Sequence, residues 1–220
     1  MYIDARKILD DVMSRMHSIS QLNSNDIPSI DLYMDQVTTF MDEKLASTMR
    51  SSDKDKEEHV LTKTMINNYA KNDLLPPPLK KKYTKEHMMV LIFIYYFKSH
   101  LSISDIKVLL DPITKEHFNS ESSLPMKDIY EIIVGSGDKG LNVLGDDLIH
   151  KYEESSKLFE KFDTADREYL QLFSFVCYLS YDIHVKQMLV ESIVDEIAGK
   201  NIEDAEIKKA KEKAEKKKKG

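Results

Sequence analysis

Apolar residues recur with helical spacing almost from the start of this chain. Between Asp4 and Ile19, residues Ile8, Leu9, Val12, Met13 and Met16 return every three or four positions and so share one face of a helix. Ser20 to Ser29 is polar and ends in Ile27-Pro28-Ser29, where the proline and the extended bias of its predecessor predict a break. A second helix is expected from about Asp31 to Met49, burying Tyr33, Val37, Phe40, Met41 and Leu45. The charged, apolar-free run Arg50 to Glu58 reads as an exposed loop. Thr62 is placed to cap a short helix over 63–71. Pro76-Pro77-Pro78, whose rings fix φ and remove amide donors, then forces an extended path into Lys80-Lys81-Lys82.

Thr84 is the predicted N-cap of a helix ending near Lys98, with Glu86 placing negative charge in its first turn. Apolar residues lie on every side of this helix, so other helices must enclose it. Ser102-Ile103-Ser104-Asp105 has the form of a capping box with Asp in the usual place of Glu. It opens a short helix carrying Ile106, Leu109 and Leu110, which Pro112 is expected to stop. A polar linker around Phe118 to Ser123 leads to Pro125 at the first turn of a helix through Val134, ended by Gly135, Gly137 and Gly140. A helix from about Asp146 to Phe162 and a longer helical stretch from Thr164 to Ala198, with Ser180 as a candidate break, complete the pattern. No internal repeat is visible.

Composition agrees with the pattern. The 220 residues are 41% hydrophobic and 32% charged with 6 Gly and 6 Pro, a balance that suits amphipathic helices and predicts an all-α fold. The single cysteine, Cys177, lies in an apolar run, reads as a small core residue, and provides neither a disulfide framework nor a Cys-based metal site, which points to a reducing cytoplasm. Met1-Tyr-Ile-Asp-Ala-Arg lacks the basic start and apolar stretch of a secretory signal. The longest apolar run, Met88 to Phe97, is about half of what a bilayer requires, so no membrane partner is expected.

Charge is unevenly spread. The net charge is -6, but Glu206 to Gly220 holds eight Lys against three Glu, a surplus of +5 that leaves -11 on the rest. Such Lys-rich ends are most often solvated and frayed. An acidic body disfavours broad coating by nucleic acid, so any DNA contact must come from a local basic patch.

On a helical wheel of residues 63–71, Met65, Ile66, Tyr69 and Ala70 share one side, while Thr64, Asn67, Asn68 and Lys71 occupy the other. A polar outer face is ordinary for a surface helix. Its hydroxyl, carboxamide and ammonium groups are also those that hydrogen-bond base edges and phosphates in a major groove. The neighbouring order sharpens this second reading: a short polar-faced helix, an extended Pro-Lys segment, a buried helix and another short helix.

The run Leu61 to Pro78, then Lys82-Tyr83-Thr84-Lys85-Glu86-His87 and Leu101 to Leu110, resembles the DNA-binding domain of MerR-like transcription regulators. Tyr69 falls at that family's tyrosine after the recognition helix, Leu74-Leu75-Pro76 at the start of its wing, and Tyr83-Thr84 at the pair opening its third helix. Asp31-Leu-Tyr-Met-Asp-Gln-Val-Thr-Thr-Phe and Thr62-Lys-Thr-Met-Ile-Asn-Asn-Tyr resemble a bacterial family, domain-of-unknown-function family 1836, over Asp31 to Leu110. The regulator resemblance implies a winged helix-turn-helix, a homodimer and double-stranded DNA as partner, with Lys63, Thr64, Asn67, Asn68, Lys71, Lys80, Lys81 and Lys82 as contact residues. It implies no ligand.

The chain departs from that pattern at three places. Asn67 stands where such regulators carry an arginine, and no glycine turns the wing, so the three prolines are expected to make the bend. The connection from Met49 to the 63–71 helix is also far longer than a tight helix-turn-helix link.

The expected organisation is an N-terminal helix and linker over 1–30, a winged helix-turn-helix-like domain over 31–112 with recognition helix 63–71 and wing 76–83, a helical region over 113–205 and a Lys-rich tail over 206–220. For catalysis the chain offers little. His59, His87, His100, His117, His150 and His184 are scattered, and neither a metalloprotease motif, a phosphate loop nor a nucleophile elbow occurs. Gly135-Ser136-Gly137 reads as helix termination, not a phosphate cradle. No enzyme activity, cofactor or metal is therefore expected. The alternative to a DNA-binding regulator is a helical protein-interaction or dimerisation module that no longer binds DNA, since the apolar residues of 164–198 need covering by the chain's own core or by a second subunit. A third reading lets that C-terminal region line an effector pocket.

Overall fold

The computed structural model describes residues 3–20, 22–46, 59–118 and 121–218, with side chains described except at 16–20, 138–139, 204–205 and 208–218. Seven α-helices are described: α1 (Ala5–Ser20), α2 (Met34–Leu45), α3 (Lys63–Lys71), α4 (Lys85–Phe97), α5 (Ile103–His117), α6 (Met126–Ser156) and α7 (Arg167–Lys218). Two two-residue strands, β1 (Leu32–Tyr33) and β2 (Lys82–Tyr83), pair antiparallel with Leu32 opposite Tyr83 and Tyr33 opposite Lys82. The mostly helical expectation holds, and the small sheet is an addition to it. The charged run 50–58 lies outside the described residues.

Helix α4 is the centre, as its all-round apolar sequence requires. Its Met88 to Ile92 and Ile94 are buried, together with Val37, Met41 and Leu45 of α2, Ile66 and Tyr69 of α3, Ile106 and Leu110 of α5, and Met126 and Tyr130 of α6. The strands seal one edge. Leu32 and Tyr83 face inward and are buried, while their neighbours Tyr33 and Lys82 face outward, the period-two alternation of a strand. Tyr33, expected in the core of a longer α2, is instead exposed at the N-cap of that helix.

Two helices run through residues expected to end them, held by packing on the rest of the fold. Helix α5 runs through Pro112 to His117. The missing amide costs roughly 3 kcal/mol in a helix interior, but Ile106 and Leu110 before the proline and Ile113 and Phe118 after it all pack on the core. Helix α6 likewise runs through Gly135, Gly137 and Gly140, joining what the sequence divided into two helices. Each glycine weakens the helix by roughly 0.5–1 kcal/mol, and packing against α1, α4 and α7 holds it. At Gly145 a Cβ would come within 2.5 Å of Cε, the flexible end of Met13 on α1, so α1 and α6 pack closely there.

Helix α7 passes Ser180 without a break, and that hydroxyl donates to the Val176 carbonyl at 2.8 Å within the helix. It continues through most of the Lys-rich segment, where composition favoured a frayed end, to Lys218. Cys177 is half-buried on it.

Candidate nucleic-acid interface

Helix α3 is fixed at both ends. At its start, the Thr62 hydroxyl accepts from the Met65 amide at 3.2 Å, the expected cap. At its end, Leu74 N–H donates to the Tyr69 carbonyl at 2.9 Å and Asp73 N–H to the Ala70 carbonyl at 3.3 Å, with Asp73 at φ 55°. This is a Schellman closure with Asp in the left-handed position that glycine usually takes. From α5, Lys107 Nζ donates to the Asn72 carbonyl at 2.9 Å and approaches Asp73 Oδ2 at 3.7 Å, placing a cation at the negative end of the α3 dipole.

The chain segment that feeds α3 is anchored as well. Asp42 of α2 accepts from the Val60 amide at 2.7 Å and pairs with His59 Nδ1 at 2.5 Å, while Lys98 Nζ donates to the Val60 carbonyl at 2.9 Å. The start of α3 is thus set by α2 and α4, whatever the length of the connection before it.

Thr64, Asn67, Asn68 and Lys71 are exposed, as the wheel predicts, and so is Lys63. Ile66 and Tyr69 are buried, but Met65, assigned to the packed side, is 39% exposed. It widens the outward face.

The lysine segment is a tight hairpin. Lys82 N–H donates to the Leu79 carbonyl at 2.9 Å, and Lys80 and Lys81 between them have φ of 51° and 65°. Positive φ at both central positions is the requirement of the hairpin turn that favours Asn-Gly. The bend is therefore made by two lysines, not by the prolines, which lead into it without a positive φ. Left-handed backbone costs roughly 1–2 kcal/mol for each residue with a Cβ. Lys80 and Lys81 are exposed at the tip and Lys82 is half-buried, with its Nζ 5.3 Å from the centre of the Tyr33 ring across the sheet.

Hairpin and helix meet at the start of α2. Lys82 lies over Tyr33, the N-cap of α2, and Lys63 forms an exposed ion pair with Asp35 in its first turn. Two of the eight sequence-designated residues, from segments nineteen positions apart in number, thus touch residues 33 and 35. Sequence reading did not single out Tyr33, Asp35 or Lys107 for the site. The first two lie in the stretch that carried the family resemblance, whereas nothing local marks Lys107, whose contact spans 35 positions.

Behind the hairpin, His87 is buried. Its Nδ1 accepts from the Thr84 amide at 3.0 Å, which makes His87 the N3 partner of Thr84 in the α4 capping box. Its ring meets Tyr83 and Phe118 edge to face at 5.5 and 4.8 Å. Burial holds its pKa below the ordinary imidazole value, against the opposing pull of the Pro77 and Pro76 carbonyls, Glu86 and Asp31. Among the described residues, no group of three or more His, Cys, Asp or Glu is arranged to hold a metal, and no helix is long and apolar enough to cross a membrane.

No curated protein and no solved structure matches the chain. One family model does match, over residues 22–133, just over half of the chain, and it takes in α2 through α5, both strands, the lysine hairpin and the start of α6. The chain belongs to the family defined by this domain of unknown function, DUF1836.

Proposed function

We propose that this protein binds double-stranded DNA through a MerR-like winged helix-turn-helix formed by α2, α3 and the lysine hairpin, and acts as a transcriptional regulator. The observation that carries the reading is the convergence of Lys63 and Lys82 on the first residues of α2, beside an outward face of hydroxyl, amide and ammonium groups. In this arrangement α3 enters the major groove, with Asn67 and Asn68 reading base edges and Thr64 and Lys71 contacting edges or backbone. Lys80 and Lys81 reach phosphates from the hairpin tip. Lys63 exchanges its solvent-exposed partner Asp35 for a phosphate, at small cost because exposed ion pairs contribute little.

A homodimer belongs to the same reading. Helix α7 exposes Tyr169, Phe173, Val176, Ile183, Met188, Leu189 and Ile193, more apolar surface than a lone solvated helix carries. A second copy covering it presents two α3 helices to a two-fold site. The same exposure favours the second reading, a dimerisation module without DNA affinity.

Duplex binding measured across salt concentrations separates the two. Binding should weaken steeply as salt rises, and Ala at Lys80, Lys81 and Lys82 should lower the slope by about one for each phosphate that no longer meets an ammonium group. Asn67→Ala and Asn68→Ala should change the sequences selected from a random oligonucleotide pool while leaving nonspecific affinity nearly intact. A dimer that ignores duplex DNA at low salt leaves only the second reading.

A further inference from the structure

Leu79, which opens the tight turn of the lysine hairpin, is 72% exposed, more than any other large apolar residue among those described. A single exposed leucine is ordinary, but this one is fixed in place. Its carbonyl accepts from Lys82 N–H at 2.9 Å, and it stands directly opposite Lys82 in an isolated antiparallel pair. Lys82 in turn stands opposite Tyr33. Opposed residues of antiparallel strands share a face, so Leu79, Lys82 and Tyr33 form one outward row, while Leu32 and Tyr83 are buried on the other side of the sheet. The Lys82 ammonium lies over the Tyr33 ring, and Leu79 is left bare at the outer end of the row.

The neighbours of Leu79 limit what can cover it. Pro76, Pro77 and Pro78 precede it and have no amide to donate, so this edge takes up no further β-strand. Lys80 and Lys81 follow it, both exposed and both at positive φ, a strain that an Asn-Gly turn would avoid. The result is a stiff finger with one bare apolar side chain and two ammonium groups beside it. Its complement is negative charge on the rim of an apolar interior. The minor groove of duplex DNA has that form, with phosphates along both edges and stacked bases within. An anionic lipid surface shares it, but one leucine buries little of the apolar area that holds a protein to a bilayer, and the amides of α3 have no use there.

We propose that Leu79 is a wedge. With α3 in the major groove, the hairpin reaches the adjacent minor groove, Lys80 and Lys81 meet the phosphates at its edges, and Leu79 enters between two base pairs. Such wedges unstack a step and kink the duplex by roughly 20–90°. This inference rests on the duplex-binding reading and adds to it a bent partner, favoured at steps of pyrimidine followed by purine, which kink most easily.

The test uses the full chain at low salt with two duplexes, one containing TA and CA steps and one with every purine on a single strand, which has no such step. Each carries 2-aminopurine near its centre and a dye pair at its ends. The first duplex should bind about three- to tenfold more tightly, its 2-aminopurine should brighten as it unstacks, and energy transfer should show its ends drawn together. Leu79→Ala should abolish all three responses but keep the salt slope, because no ammonium is lost. Leu79→Met, which keeps a flexible apolar side chain, should retain them. Ile30→Ala, a residue 67% exposed but two positions before β1, should behave as the unaltered chain. All four proteins should melt together, since both side chains are exposed. Binding without unstacking or bending, or responses that survive Leu79→Ala, overturns the wedge and leaves duplex binding standing. Absence of binding to either duplex overturns both, and Leu79-dependent binding to phosphatidylglycerol vesicles in its place assigns the finger to a lipid surface.

Discussion

Met89 in α4 and Met188 in α7 both lie in strongly apolar helical runs, yet Met89 is 0% exposed and Met188 is 53% exposed. The contrast holds for the regions around them. From Leu22 to Tyr130, apolar side chains from four helices and two strands close on α4. Along α7, Phe175 and Val194 are the only buried hydrophobic residues among those described, and Tyr169, Phe173, Tyr181 and Ile183 remain open. An apolar helix enclosed by its own chain is part of a core, whereas one left open is a surface awaiting a partner. The first region carries the surface proposed to meet DNA; the second carries the surface proposed to pair two chains.

The largest test of this contrast makes the same substitution in both places. Met89→Ala should destabilise the protein by about 2–5 kcal/mol at any concentration, because it opens a cavity in a closed core. Met188→Ala should have almost no effect on the dissociated chain and a clear effect on the associated one, seen as a melting temperature whose concentration dependence weakens. Equal losses at both positions, independent of concentration, would show that α7 is enclosed by its own chain and remove the contrast.

A smaller effect separates stability from function within the first region. Replacing Lys80-Lys81 by Asn-Gly relieves two left-handed residues and should stabilise the fold by about 1–2 kcal/mol, while lowering duplex affinity. A rise in melting temperature with unchanged duplex affinity would take the hairpin tip out of the proposed interface.

The smallest expected effect is the pH response of His87. Burial lowers its folded pKa below the ordinary 6.5, so above that value both states hold neutral imidazole and it contributes no slope. As the pH falls below 6.5 the unfolded chain takes up the proton first, and stability declines until the folded value is passed. His87→Gln keeps a side chain able to accept the Thr84 amide but cannot titrate. Melting curves between pH 7.5 and 5 should therefore fall less steeply for this variant, and identical slopes would assign the response to other groups.

Much of the closed region is legible in the sequence. Thr62, Thr84 and Ser102 mark the helix starts they cap, and the all-round apolar run of α4 requires enclosure. The outward residues of α3 follow from the wheel, except that Met65 lies closer to the boundary than its hydrophobicity implies. For the hairpin, the lysines are visible but the local pattern points to the prolines for the bend, because Lys-Lys has no local preference for positive φ. Only pairing of β2 with β1 and the Leu79 to Lys82 closure hold it there.

By itself, then, the sequence determined what short-range forces decide: which segments are helical, which residues cap them, and which side of each helix is apolar. Tertiary structure decided where those signals are overruled. Pro112 and the α6 glycines carry local costs of a few kcal/mol or less; packing of Leu110, Ile113 and Phe118 beside the proline, and of α6 as a whole against α1, α4 and α7, outweighs them. It also decided what meets what. Lys63 and Lys82 reach the start of α2, and Lys107 the end of α3, through contacts between segments far apart along the chain, whose energies no local pattern encodes.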